Sequence, residues 1–95
     1  MTNVLAIDQG TSSTKALVVS DGREVLGEGN APVHPRAGAQ GAVEQDPEEL
    51  FQSIVDAGRA ALQVAGATVA AVGLANQGET VLRWDRESGR PLGSR

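Results

Sequence analysis

The chain has 95 residues, 40% of them hydrophobic, and a formal net charge of −4 from twelve acidic and eight basic residues. A chain of this size forms one small packed domain or part of a larger one, and it is too short to enclose a large active site alone. With no cysteine and one histidine, disulfides, cysteine-ligated zinc and histidine-based metal clusters are excluded. The acidic charge also argues against sequence-independent binding to nucleic acid.

The N-terminus, MTNVLAID, lacks the positive charge and the long apolar run of a secretory signal. The apolar stretches also fall short of the roughly 20 residues that cross a bilayer. We therefore expect no membrane association and a cytoplasmic location, with which the lack of cysteine is compatible.

The first third of the chain predicts three strands. Residues 4–7 form a short apolar run that ends at Asp8, and residues 14–19 are apolar and β-branched. Residues 21–23, Asp-Gly-Arg, carry a hairpin signal, after which residues 24–31 return as a third strand. This pattern predicts a β-meander in which the first strand delivers Asp8 to a loop.

A loop and a helix are predicted next. Residues 32–44 contain two prolines and no apolar period, which indicates a loop. Asp46 is a candidate N-cap, followed by Pro47 at the first helical position, and Gly66 is placed to end the helix. Glu49, three residues after the cap, could complete a capping box. The expected apolar face consists of Leu50, Phe51, Ile54, Val55, Gly58, Ala61, Leu62 and Ala65.

The end of the chain predicts two further strands. Residues 69–75 are apolar on both alternating faces, as in a central strand covered on both sides, and a crossover after a helix favours parallel pairing with the first strand. Residues 80–85 read as another strand before a turn at residues 86–90, and Trp84 is expected to pack on the sheet. The whole order indicates an α/β fold.

The densest functional signal is the string DQGTSSTK, residues 8–15. A tight turn at Gly10 would expose successive backbone N–H groups, which suit phosphate oxygens. The candidate phosphate-binding residues are Gly10, Thr11, Ser12, Ser13 and Lys15. Asp8 is the candidate Mg²⁺ ligand, because that ion takes one or two carboxylates and keeps several waters. The string is not a Walker A loop, and an ordinary polar hairpin is the competing interpretation.

Three colinear segments resemble the FGGY carbohydrate kinases, the glycerol kinase and xylulokinase family. They are AIDQGTSSTKALVVS, GAVEQDPEELFQS (residues 41–53) and GLANQGETVLRWDRESGRPL (residues 73–92), and together they span nearly the whole chain. The resemblance implies an ATP-dependent kinase with the ribonuclease-H-like fold of actin and hexokinase. Its cofactors would be ATP and Mg²⁺, and its substrate a sugar or polyol.

The resemblance also assigns residues and departs from the family at two positions. It places nucleotide phosphates on Thr11, Ser12, Ser13 and Lys15, and Mg²⁺ on Asp8. It places substrate hydroxyls at Gln77, Gly78 and Glu79. Lys15 stands where glycerol kinases usually have arginine, which removes a bidentate donor. Glycerol kinases read N-Q-R-E-T where this chain reads N-Q-G-E-T, so Gly78 replaces their arginine. Strict specificity for glycerol is therefore not expected.

In this family the catalytic base and the adenosine-binding domain lie further along. We therefore expect residues 1–95 to be the N-terminal part of a kinase N-terminal domain, with no catalytic residue of its own and no turnover alone. A homodimer of the full-length protein is a further expectation. The alternatives are another ATPase of the same superfamily, or a non-enzymatic module that binds a phosphorylated ligand or pairs with itself through an open sheet edge.

Overall fold

The computed structural model describes residues 2–38, 43–76 and 84–90. In these residues the chain forms, in order, β1 (Asn3–Gln9), β2 (Ser13–Ser20), β3 (Val25–Pro32), β4 (Arg36–Ala37), β5 (Val43–Glu44), α1 (Pro47–Ala65) and β6 (Ala71–Asn76). The four long strands make one sheet in the order β3-β2-β1-β6, and β4 pairs with β5.

The pairing of the strands confirms the predicted meander and crossover. β1 pairs antiparallel with β2, which pairs antiparallel with β3, and β6 lies parallel to β1. The hairpin at residues 21–23 is also present, but the residue with a left-handed backbone is Arg23, with φ of 65°, and not Gly22. The glycine supplied the sequence signal, whereas the neighbouring residue carries the conformation.

The segment predicted as a loop, residues 32–44, contains regular structure. β3 continues to Pro32, and β4 pairs antiparallel with β5 through Arg36 and Glu44. The prediction of a plain loop is therefore wrong at these positions, because backbone pairing between distant residues does not need an apolar period.

Both predicted ends of α1 are confirmed. The Asp46 side chain accepts a hydrogen bond from the Glu48 N–H at 2.9 Å, and Pro47 opens the helix. Gly66 has φ of 61°, and its N–H donates to the Leu62 carbonyl at 3.0 Å. These local signals act over a few residues, so they could be read without knowledge of the tertiary structure.

Glu49 does not form the predicted capping box. Its carboxylate accepts a hydrogen bond from the His34 N–H at 2.8 Å and lies 2.8 Å from His34 Nδ1. These contacts, chiefly that with the imidazole, hold the pKa of Glu49 below its ordinary value. The carboxylate thus ties the segment after β3 to the first turn of α1.

α1 lies on one face of the sheet, where small residues meet small residues. The helix presents a row spaced by four residues, Ser53, Ala57 and Ala61, all buried. Opposite them, a Cβ on Gly27 would lie 2.6 Å from the Ala65 nitrogen, and one on Gly29 would lie 2.8 Å from the Ala61 nitrogen. The helix backbone therefore rests almost directly on β3.

This arrangement corrects two details of the predicted helix face. Phe51 was expected to be buried, but 64% of it is exposed, because the narrow contact with β3 admits only small side chains. Gly58 lies on the predicted apolar face, where a small residue would permit a close approach, yet a Cβ there would make ordinary contacts of 3.5 Å with Leu5 and 3.7 Å with Ile7. The glycines of β3 allow that approach instead.

Two predictions about burial near the end of the chain are wrong. All six residues of β6 are exposed, including Val72 at 61% and Leu74 at 59%, so in the described sheet β6 is an end strand and not a covered central one. Trp84, expected to pack on the sheet, is 57% exposed. The strand predicted at residues 80–85 lies mostly outside the described residues.

The predicted turn near residues 86–90 is present. The Asp85 carboxylate accepts a hydrogen bond from the Glu87 N–H at 2.9 Å, and Gly89 has φ of 76°. Hydrogen bonds from Glu87 and then Ser88 lower the pKa of Asp85. In the part of the chain that the structure describes, no helix is both long and apolar enough to cross a membrane.

Candidate functional site

The β1–β2 hairpin forms a tight turn with Thr11 and Ser12 exposed at its tip. The Gly10 N–H donates to the Ser13 carbonyl at 2.9 Å and closes the turn. A Cβ on Gly10 would lie 2.9 Å from the same oxygen, which is closer than real Cβ atoms come to backbone oxygens. Glycine is therefore required here by the close approach of the two strands.

Three successive carbonyl groups of this turn accept hydrogen bonds from the surrounding protein. Gln9 Nε2 donates to the Gly10 carbonyl at 2.7 Å, and Gln45 Nε2 donates to the Thr11 carbonyl at 2.9 Å. The Val33 N–H donates to the Ser12 carbonyl at 3.1 Å. All three carbonyl oxygens thus point toward protein donors.

The direction of these carbonyls determines the direction of the next N–H groups. In a planar trans peptide the C=O and the following N–H point in opposite directions, and the described residues contain no cis peptide. The N–H groups of Thr11, Ser12 and Ser13 therefore point away from the three donors. The Gly10 N–H is not available to a ligand, because it is used inside the turn.

Asp8 and Lys15 are direct cross-strand partners on the sheet face opposite α1. β1 and β2 pair Asp8 with Lys15, and both residues are exposed. Thr14 points to the other face, where its hydroxyl lies 2.7 Å from the Ser53 hydroxyl and is fully buried. Strand alternation thus separates a structural threonine from the polar pair.

The Lys15 amine is available to a ligand. Within residues 2–38, 43–76 and 84–90, no carboxylate lies within 4.0 Å of it, and the one ion pair formed joins His34 to Glu49. Asp8 and Lys15 line an open groove of about 560 Å³, which Leu17, Glu28, Leu74 and Ala75 also line. A cation beside an open groove is suited to an anionic ligand.

A divalent cation could be held by Asp8. The described residues contain no cluster of three or more acidic or histidine side chains. Asp8 offers one exposed carboxylate near the end of β1. It suits Mg²⁺, which keeps several waters and shares phosphate oxygens of its substrate.

The expected substrate residues Gln77, Gly78 and Glu79 lie outside the described residues. The residue before them, Asn76, is the parallel partner of Gln9, so β6 ends beside the β1–β2 hairpin. Sequence reasoning missed Gln45 as a contact of this hairpin. The residues that follow Gln45 predicted only the start of a helix, and no local sequence signal relates Gln45 to Thr11, 34 residues earlier.

Comparison with known proteins identifies the class to which this fold and site belong. The sequence profile described as the FGGY family of carbohydrate kinases, N-terminal domain, matches residues 3–95. Glycerol kinases from Rhizobium meliloti (strain 1021) and Rhizobium rhizogenes are 42% and 46% identical over 92 residues, which cover 94% of this chain and 18% of each relative. The chain thus spans less than a fifth of the length of these relatives.

Solved structures of carbohydrate kinases resemble this chain as well. Plasmodium falciparum glycerol kinase with ADP matches with a TM-score of 0.83 and 30% identity, over 99% of this chain and 20% of that protein. Xylulose kinase from Rhodospirillum rubrum matches with a TM-score of 0.88, over 97% of this chain and 19% of that protein, but at 19% identity it shows the fold alone. The chain belongs to the FGGY family of carbohydrate kinases. The family match does not favour the two alternatives, another ATPase of the same superfamily and a non-enzymatic module that binds a phosphorylated ligand or pairs with itself.

Proposed function

We propose that this chain supplies the phosphate-binding part of an ATP-dependent carbohydrate or polyol kinase, which transfers the γ-phosphate of ATP to a hydroxyl group. The observation that carries the proposal is the family match over residues 3–95 together with a solved relative that holds ADP. The Ser12 N–H, directed away from the Gln45 donor, and the Lys15 amine, which no carboxylate of the described residues approaches within 4.0 Å, support it, because both are suited to nucleotide phosphates.

In this proposal the hairpin binds the nucleotide phosphates. The backbone from Thr11 to Ser13 donates N–H groups, the hydroxyls of Thr11, Ser12 and Ser13 add donors, and Lys15 neutralises charge. Gly10 contributes the tight turn and no N–H, since that group bonds Ser13. Preorganised donors of this kind are the main catalytic contribution of a protein to phosphoryl transfer, which otherwise needs positioning and charge neutralisation.

Asp8 would hold the Mg²⁺ of the nucleotide. When bound, the ion neutralises charge on the phosphate oxygens. Asp8 is exposed near the end of β1 and pairs with Lys15, so its carboxylate lies on the same sheet face as the Lys15 amine that we propose binds phosphate. The carboxylate and the amine would then organise the two sides of the same phosphate chain.

Gln77 and Glu79 would bind hydroxyls of the substrate, and Gly78 would leave room for a polyol larger than glycerol. The parallel pairing of Asn76 with Gln9 supports this assignment, because it brings the residue that precedes this segment to the hairpin. We further propose that residues 1–95 form the N-terminal part of the kinase N-terminal domain, and that the enzyme is cytoplasmic and dimeric.

The experiment measures ADP formation by the full-length protein with glycerol, xylulose and gluconate as acceptors. We expect acceptor-dependent ADP formation and a decrease in kcat of about a hundredfold in Asp8→Asn, because charge stabilisation by a metal ion is worth several kcal/mol. Asp56→Asn is the matched control, since Asp56 lies on α1 and its carboxylate accepts a hydrogen bond from Gln52 Nε2 at 2.8 Å, away from the hairpin.

Absence of ADP formation with every sugar and polyol tested would contradict the kinase assignment. An unchanged kcat in Asp8→Asn would contradict the metal role alone. The 95-residue chain by itself should show no acceptor-dependent ADP formation above a Ser12→Ala control, because the proposed base and adenosine site belong to other parts of the enzyme.

A further inference from the structure

A buried glutamine from outside the hairpin contacts the proposed phosphate loop. Gln45 is 6% exposed and lies just before the N-cap of α1. Its Nε2 donates to the Thr11 carbonyl at 2.9 Å across 34 residues of sequence. Neither Thr11 nor Ser12, the tip residues, is itself buried.

The contact acts on one peptide plane. Because the Thr11 carbonyl and the Ser12 N–H belong to the same trans peptide, a donor that holds the carbonyl toward the protein directs the N–H away from it. The peptides on either side are held by donors at the end of β1 and just after β3, through Gln9 and Val33. Among the contacts that the structure describes, it is the central peptide that the segment leading into α1 holds, through Gln45.

We propose that Gln45 is a positioning residue for nucleotide phosphate, which holds the Thr11–Ser12 peptide with its N–H directed at a phosphate oxygen. The inference rests on the proposed function. Gln45 touches no ligand in this scheme; it acts through the Thr11 carbonyl. Without its donor, the tip peptide could rotate, and binding would then have to order it.

The test compares Gln45→Met with Gln52→Met in the full-length protein. Methionine keeps the length and volume of glutamine but donates no hydrogen bond. Gln52 is exposed on α1, where it bonds Asp56, so the same change at that position leaves the hairpin untouched. Inhibition constants are measured for ADP and for adenosine against ATP.

We expect Gln45→Met to raise the inhibition constant of ADP about tenfold, the scale of one lost hydrogen bond. The constant of adenosine should change less than twofold, because adenosine has no phosphate to meet the loop. Gln52→Met should change neither constant. A general loss of structure would weaken both ligands together, so equal increases for ADP and adenosine would overturn the inference, as would an unchanged ADP constant.

A second measurement needs no variant at position 45. In the wild-type protein labelled with ¹⁵N-serine, the Ser12 amide should shift and become protected from exchange when ADP is added. An unperturbed Ser12 amide in a protein that binds ADP would overturn the inference. Loss of ADP binding and of turnover in the wild type would instead refute the proposed function.

Discussion

The contact between α1 and β3 can be tested by replacing glycine with alanine at two positions, one on β3 and one on α1. In Gly29→Ala, the new Cβ would overlap the Ala57 carbonyl and lie 2.8 Å from the Ala61 nitrogen. Both are backbone atoms of a helix, so neither can rotate away as a side chain could. Overpacking of this kind costs about 3 kcal/mol, the upper part of the usual range, because the whole helix must shift.

Gly58→Ala is the matched control on the opposite side of the same interface. Its Cβ would meet Leu5 at 3.5 Å, an ordinary van der Waals distance. Alanine is also the better helix former by about 0.8–1 kcal/mol. The same chemical change is therefore expected to destabilise the protein at position 29 and to stabilise it slightly at position 58.

The assay is urea denaturation followed by circular dichroism. With an m-value of about 1–3 kcal/mol/M, the Gly29→Ala midpoint should fall by about 1–3 M, and the Gly58→Ala midpoint should stay or rise. Equal effects of the two substitutions would refute the argument that β3 is the surface on which the helix backbone rests.

Three further predictions concern charge and specificity. Lys15→Met in the full-length protein should raise the KM for ATP about 10- to 100-fold, the scale of a charged hydrogen bond, and Lys15→Arg should restore most of it; an unchanged KM in Lys15→Met would contradict phosphate binding. The free energy of unfolding should differ most between the wild type and Glu49→Gln at a pH above the ordinary glutamate pKa. The difference should shrink as the pH falls through the lowered pKa of Glu49, because His34 favours the charged carboxylate only in the folded state. An equal difference at pH 7 and pH 3 would contradict this prediction. Gly78→Arg should shift kcat/KM about 10- to 100-fold toward glycerol relative to larger polyols, through hydrogen bonds to a small triol; a uniform loss for all acceptors would indicate instead that the backbone requires glycine.

The amino-acid sequence by itself determined the local elements. Asp46, Pro47 and Gly66 mark the ends of α1 because capping depends on hydrogen bonds within one or two turns. The meander and the parallel crossover followed from strand periodicity and handedness. The polar string from Asp8 to Lys15 also identified the hairpin, since turn residues and alternation are properties of short segments.

Tertiary structure decided which side chains these elements bury and how the hairpin is oriented. Phe51 lies on an apolar pattern but is exposed, because the crossover sets α1 against the glycines of β3 and leaves space only for small residues. Gln45 reaches the Thr11 carbonyl only once β5 and α1 bring it to the hairpin. Contacts between residues far apart in sequence leave no periodicity to read, and they determine where the N–H groups of the proposed phosphate loop point.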